Sequence, residues 1–265
     1  MLLGRLAGVA GLFALATVSA QHYEALPSVG YHAALHSAGD KPMLVAYLNE
    51  SSSEFEDDEE EFELAAEAFH CVAGGGTHVM LSGTDQRALF IAREDNLALP
   101  ALSLFVNGKR SDSFDGAEWI EQSLLDWVYM AVAGIKIVRS VADVNAAAEG
   151  GKVALAVVDR FCAPDAVEFV RAAIAHRQKH GSFMNAALTT NGTISDELDL
   201  RRSRGVTVVE RRAEFGYNQI NLPPGMASMG AAELESWLTG VMGVNKKQRG
   251  GPGRRSRRRG QKDEM

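Results

Sequence analysis

The sequence predicts an α/β protein made of two consecutive units, each a mixed sheet flanked by helices. Three observations carry this. Lys41 to Phe69 reads as a buried strand, a loop and a long amphipathic helix. The same strand–loop–helix order returns between Val153 and His180. The 265 residues, less the two ends, leave room for two domains of about 110 residues each.

Residues 1–20 have one basic residue, Arg5, an apolar stretch from Leu6 to about Val18, and the small-residue ending Val18-Ser19-Ala20. This is the pattern of a secretory signal peptide, too short and too poorly flanked for a membrane span. No later segment is long enough to span. The expected division is therefore a signal peptide at 1–20, a first domain at 21–132, a second at 133–244 and a tail at 245–265.

In the first domain, Met43 to Leu48 is a continuous apolar run, which suits a strand covered on both faces. Ser51, Ser52 and Ser53 follow, and Ser53 with Glu56 fits a helix-opening capping box. Phe55, Phe62 and Phe69 recur every seven residues beside Ala65 and Ala66, so one helical stripe can be buried. Eight of the ten residues from Glu54 to Glu63 are acidic. They read as a solvated helix face whose acids favour the helix dipole. The alternative, a calcium-attracting patch, lacks the Asp/Asn/Gly spacing of a defined calcium loop. Thr77 to Leu81 and Ala101 to Val106 read as strands. A turn at Asn107-Gly108 returns the chain as Ser111 to Phe114. Ala117 to Met130 follows as a helix with Ile120, Leu124, Trp127 and Val128 for the core. Pro100, at a strand entrance, is a candidate cis-proline.

These residues resemble a thioredoxin-fold domain of the protein disulfide isomerase family. The match runs without a gap from Lys41-Pro42 through Ala65-Ala66. It resumes at Leu99-Pro100, Leu104-Phe105, Asn107-Gly108-Lys109 and Phe114-Asp115-Gly116. The resemblance implies that the family's Cys-Gly-His-Cys site falls on Ser52, Ser53, Glu54 and Phe55, and its proton-transfer glutamate on Ala46. Pro100 is kept, while the threonine after it is Ala101. The implied domain is redox-inactive. The chemistry agrees, because disulfide exchange needs a thiolate and normally a resolving thiol, and no histidine lies in the loop to activate a serine.

The second domain is expected to begin with a strand at Ile135 to Val138 and a helix at Ser140 to Ala148 opened by Ser140 and Asp143. Next come a strand at Val153 to Val158 and a helix from Ala163 to about His180, with Val167, Val170 and Ile174 on one face. Strands at Phe183 to Leu188 and Val206 to Val209 and a closing helix at Ala231 to Val241 complete it. In order and length this half is similar to the non-catalytic domains of disulfide isomerases.

Cys71 and Cys162 fall in different domains, so pairing with each other is not the default expectation. Cys71 reads as a small buried residue. Cys162 is the candidate catalytic thiol, because Phe161-Cys162-Ala163-Pro164-Asp165 sits before a helix start, which lowers a thiol's pKa. Asp165 opposes thiolate formation, and the matching strand entrance, Arg204-Gly205-Val206, has no proline. His176 and His180 are four apart with no third ligand evident, so they read as solvated helix residues, and no metal or cofactor is expected. Asn49-Glu50-Ser51 and Asn191-Gly192-Thr193 are glycosylation sequons.

Formal net charge is −7, and it is unevenly placed. From Asn245 onward there are nine Lys/Arg and two acidic residues, against 18 and 32 in the rest of the chain. The composition of 248–260 predicts a disordered basic spacer. It has no aromatic residues, so base stacking on nucleic acid is not expected. Lys262-Asp263-Glu264-Met265 resembles the Lys-Asp-Glu-Leu retrieval signal, which implies the endoplasmic reticulum lumen and a retrieval receptor as a partner. The expected role is non-catalytic: assisting protein folding by binding unfolded secretory proteins or other folding factors. The alternatives are a single-thiol oxidoreductase or isomerase using Cys162, and a low-affinity calcium buffer resembling calsequestrin.

Overall fold

The computed structural model describes residues 24–25, 42–73, 77–82, 97–115, 119–149, 151–200, 204–211, 216–222 and 229–243. The signal-peptide segment, the basic tail and the terminal tetrapeptide lie outside them.

In the first unit the elements are β1 (Glu24–Ala25), β2 (Met43–Leu48), α1 (Phe55–Ala73), β3 (Thr77–Ser82), β4 (Ala101–Val106), β5 (Lys109–Asp115) and α2 (Glu121–Ala133). The second unit comprises β6 (Ile135–Ile137), α3 (Val141–Ala148), β7 (Lys152–Val157), α4 (Pro164–His180), β8 (Ala186–Thr189), α5 (Thr193–Glu197), β9 (Gly205–Arg211), β10 (Tyr217–Asn221) and α6 (Ala231–Met242).

The two sheets have one plan. The first is ordered β1-β3-β2-β4-β5, and the second, read from its other edge, β6-β8-β7-β9-β10. In each, the first three strands in that order are parallel and the last two join antiparallel. A long helix follows the central strand in both, α1 after β2 and α4 after β7, and another closes each unit. The chain is thus two thioredoxin-like units in tandem, with strand order as the repeat.

Central strands are apolar on both faces because helices cover both. All six residues of β2 are buried, as are five of β7 and the first five of β4. The β4–β5 hairpin turns at Asn107 and Gly108, whose φ values of 54° and 67° fit the two-residue turn that matches strand twist. On α1 the stripe closes as Phe62, Phe69, Ala65 and Ala66, with Phe55 packed at its edge.

Four local expectations are corrected. The first helix is not opened by Ser53 and Glu56: the Ser52 hydroxyl accepts the Glu54 N–H, the Asn49 side chain accepts that of Ser51, and α1 begins at Phe55. Ile120 is no core residue, being the exposed cap that precedes α2. Phe183 precedes β8 and is exposed. The buried face of α4 runs through Ala166, Phe169, Val170, Ala173 and His176, one step round the helix from Val167 and Ile174.

The units share a core. Ala68 and Val72 of α1 and Leu125, Tyr129 and Ala133 of α2 belong to the same buried cluster as Phe169, Val170 and Ala173 of α4. At the junction, Gly134 ends α2 with φ 69°. The Phe183 ring lies against it so closely that a Cβ there would sit 2.1 Å from the ring. Arg177 stacks 4.2 Å from the centre of that ring and donates to the carbonyls of Ala131 and Val132 at 3.2 and 3.3 Å. Its side chain thereby satisfies carbonyls that the end of α2 leaves without helical partners.

Candidate functional site

A thioredoxin-like unit presents its reactive loop where the central strand hands over to the long helix. Two such places exist here, and they differ.

In the first, β2 ends at Leu48 and the chain passes through Asn49 to Glu54 into α1. Ser52 and Phe55 are half-buried, while Ser53 and Glu54 are exposed. Tyr47 pairs with Ala101 across the sheet, so the entrance to β4 lies at the same end. There the Leu99–Pro100 peptide bond is cis. Ala46 is fully buried at the position of the resemblance's glutamate, so this strand offers no proton carrier. Beyond the loop, Asp58 is the buried member of the acidic run. Desolvation, then the charges of Glu54 and Asp57, raise its pKa. Its carbonyl accepts the Trp119 indole N–H at 3.0 Å, which ties α1 to the start of α2.

In the second, β7 ends at Val157 and the loop carries Phe161 and Cys162 into α4, which opens on Pro164. Cys162 is bonded to Cys71, with 5.5 Å between the Cα atoms and 91 residues between them in sequence. This corrects two expectations: the cysteines pair across the two units, and neither is a free thiol. Separation in the domain plan does not separate them in space, because the C-terminal end of α1 packs into the cluster that also holds Ala163 and Ala166. Tyr129 fixes the same loop. Its phenol, whose pKa burial pushes up, donates to the Phe161 carbonyl at 3.1 Å, and the two rings lie 5.7 Å apart. Arg204 pairs with Asp159, joining the entrance of β9 to the same loop. The loop that would carry a nucleophile is thus docked on the first unit.

Sequence reasoning missed a third grouping. His176 and His180 of α4 meet Glu235 of α6. His176 and Glu235 are both buried, at 6% and 4% exposure, so the solvated reading of this histidine pair is overturned. Glu235 Oε1 accepts the Thr239 hydroxyl at 2.8 Å, and Oε2 accepts Lys179 Nζ at 3.2 Å. Burial raises the Glu235 pKa, but these hydrogen bonds outweigh it and hold the carboxylate below its ordinary value. Desolvation, then the neighbouring His180, lower that of His176. The signal was in the spacing: His176 lies seven residues after Phe169, on the buried stripe.

Of the sequons, Asn191 is exposed. Its Oδ1 accepts from the Thr193 hydroxyl and N–H at 2.8 and 3.1 Å, and its amide donates to the Arg139 carbonyl at 3.1 Å. Asn49 is half-buried at the end of β2.

No family model matches the chain, and no curated protein matches it. Solved structures do. A zinc-bound form of human ERp44 is 14% identical with a TM-score of 0.34, over 82% of this chain and 59% of that one. Full-length ERdj5 is 13% identical with a TM-score of 0.38, over 83% of this chain and 32% of that one. The first two thioredoxin domains of Naumovozyma dairenensis Eps1p are 12% identical with a TM-score of 0.36, over 82% and 96%. The chain therefore spans about three-fifths of ERp44 and a third of ERdj5. The strand order, rather than these scores, carries the fold assignment.

Among the described residues no helix is long and apolar enough to cross a membrane.

Proposed function

We propose that this chain is a non-catalytic relative of the protein disulfide isomerases that assists protein folding in the endoplasmic reticulum lumen by binding unfolded secretory clients or other folding factors. One observation supports it most. Of the two loops where the fold could mount a thiol, one reads Ser52-Ser53-Glu54-Phe55, and in the other Cys162 is bonded to Cys71. Neither offers the free thiolate that exchange needs. The sequence adds the compartment, through the leader-like residues 1–20 and the retrieval-like Lys262-Asp263-Glu264-Met265. The repeat of sheet order supports domains at 21–132 and 133–244.

The test measures two activities of the mature chain: refolding of a scrambled-disulfide substrate, and suppression of aggregation of a reduced, unfolded protein. Each is run on the native chain, on Cys162→Ser and on the Cys71→Ser/Cys162→Ser double variant, at a temperature where circular dichroism shows all three folded. The expected result is no isomerase turnover and equal protection by all three. Turnover lost in Cys162→Ser would establish the single-thiol enzyme instead. Absence of both activities in the native chain would overturn the folding role.

A further inference from the structure

The geometry points to a zinc site that joins α4 to α6: His176 Nδ1, His180 Nε2 and Glu235 Oε1, with a fourth position open. His176 Nδ1 lies 3.6 Å from Glu235 Oε1, and His180 Nε2 lies 3.4 Å from the same oxygen. All three candidate ligand atoms lie within 4.8 Å of one another. Neighbouring ligands on a tetrahedral zinc with bonds of about 2.0 Å are about 3.3 Å apart. Two of the three edges already have nearly that length before any ion is present.

Donor chemistry selects the ion. Two imidazoles and one carboxylate form a three-ligand set typical of zinc sites that keep an open position. Calcium and magnesium prefer oxygen ligands alone. The i, i+4 spacing on α4 places both imidazoles on one face, with ring centres 4.5 Å apart. α6 supplies the third ligand from a separate helix, so binding would tie the closing helix of the second unit to its long helix.

His180 Nε2 is buried and faces Glu235 Oε1 at 3.4 Å, a long contact for a hydrogen bond. A buried ring nitrogen held by so long a contact is poorly satisfied. A cation between it and Oε1 would replace that contact with two short ligand bonds. The surroundings suit this. The Thr239 hydroxyl donates to Oε1 at 2.8 Å and so fixes the carboxylate, as outer-shell partners do at metal centres; its oxygen also lies 3.0 Å from His176 Nδ1, a hydrogen bond that ligation through Nδ1 would displace. Lys179 pairs with Oε2 at 3.2 Å, leaving Oε1 to ligate, and its side chain is 60% exposed. His180, at 19% exposure, gives the group its side towards solvent. Lys179 nevertheless places a positive charge beside the cation, and this gives the site a signed test.

The experiment uses the full mature chain, stripped of metal, with zinc bound in competition with a chromophoric chelator and thermal melting followed in zinc and in EDTA. The expected result is one zinc per chain at this site and a rise in melting temperature. His180→Ala and Glu235→Gln should each weaken binding by more than about tenfold, the lower end of what losing even an outer-shell partner costs. Both should abolish the zinc-dependent rise while melting cooperatively in EDTA. Lys179→Gln should tighten binding a few-fold, an effect that a purely structural role for the histidines would not give. His70→Ala, on the exposed side of α1, should change nothing. Zinc binding that is absent from the native chain, or undiminished in both His180→Ala and Glu235→Gln, would overturn the site.

Discussion

The two loops that follow the central strands make opposite compromises. The first keeps the form of a redox site, with a strand end, a long helix and a cis-proline at the facing entrance, and has Ser52 and Phe55 where the thiols would be. The second keeps a cysteine at the helix start, and bonds it to the other unit. Strand order places the chemistry, but it does not oblige a chain to perform it. Here one placement is left vacant of thiols and the other has become part of the joint between the units.

If Cys162 is a staple, removing it costs the most. Cys71→Ser or Cys162→Ser opens a loop of 91 residues. The chain-entropy account gives on the order of 4 kcal/mol for closure of a loop this long. Urea unfolding should show that loss in either variant, and the native chain in excess dithiothreitol should match them. Equal stability of oxidised and reduced native chain would remove the structural role from the bond and break the contrast.

The joint is also held by packing, and Gly134 tests that separately. With φ 69° and the Phe183 ring against it, Gly134→Ala meets both an unfavourable backbone region and a collision. The expected cost is about 2 to 3 kcal/mol. Phe183→Ala in the same chain should recover the part due to collision and leave the backbone part. A double-mutant cycle with no coupling would show that the ring gives way freely.

How much of this was legible in the sequence follows from which signals are local. The apolar run of β2, the Phe62–Phe69 stripe, the Asn107-Gly108 turn and the Ser140–Asp143 box are each set within a few residues, and each lies close to where patterning placed it. Boundaries moved where tertiary contacts decide. Ile120 is extended, so α2 starts at Glu121, and the Trp119 indole just before it bonds the Asp58 carbonyl. The Cys71–Cys162 bond and the meeting of His176 and His180 with Glu235 join residues 91 and 55 to 59 positions apart, and no local pattern encodes such proximity. The buried character of His176 was readable from its step of seven after Phe169, had apolar neighbours been weighed over the polarity of the ring.

A smaller change addresses the docked loop alone. Tyr129→Phe keeps the ring packed on Phe161 and removes the hydrogen bond to its carbonyl. The expected loss is about 1 kcal/mol. It should add to the loss in Cys162→Ser less than fully, since both substitutions loosen one loop. Full additivity would mean that the bond and the phenol hold the loop independently.

The smallest effect should be blind to the joint altogether. Ser140 and Asp143 cap α3 within the second unit: the Asp143 carboxylate accepts the N–H groups of Arg139 and Ser140 at 3.0 and 2.9 Å, and the Ser140 hydroxyl accepts the Asp143 N–H at 3.2 Å. The Arg139 N–H, foremost, and the Ser140 hydroxyl hold the Asp143 carboxyl below its ordinary value. A carboxyl lowered by folding contributes stability above the unfolded aspartate pKa of about 3.9, and loses it as pH falls through the folded value. The group is exposed, so solvent screening keeps the contribution to about half a kcal/mol. Unfolding free energy should therefore separate the native chain from Asp143→Asn at pH 6 and converge as acid protonates the carboxyl. The same difference should persist after the Cys71–Cys162 bond is reduced, because the cap's hydrogen bonds run among Arg139, Ser140 and Asp143. A gap unchanged on acidification would take the charge out of the cap. One that vanished on reduction would mean that α3 depends on the joint, and that the second unit is less self-sufficient than its repeat of the first implies.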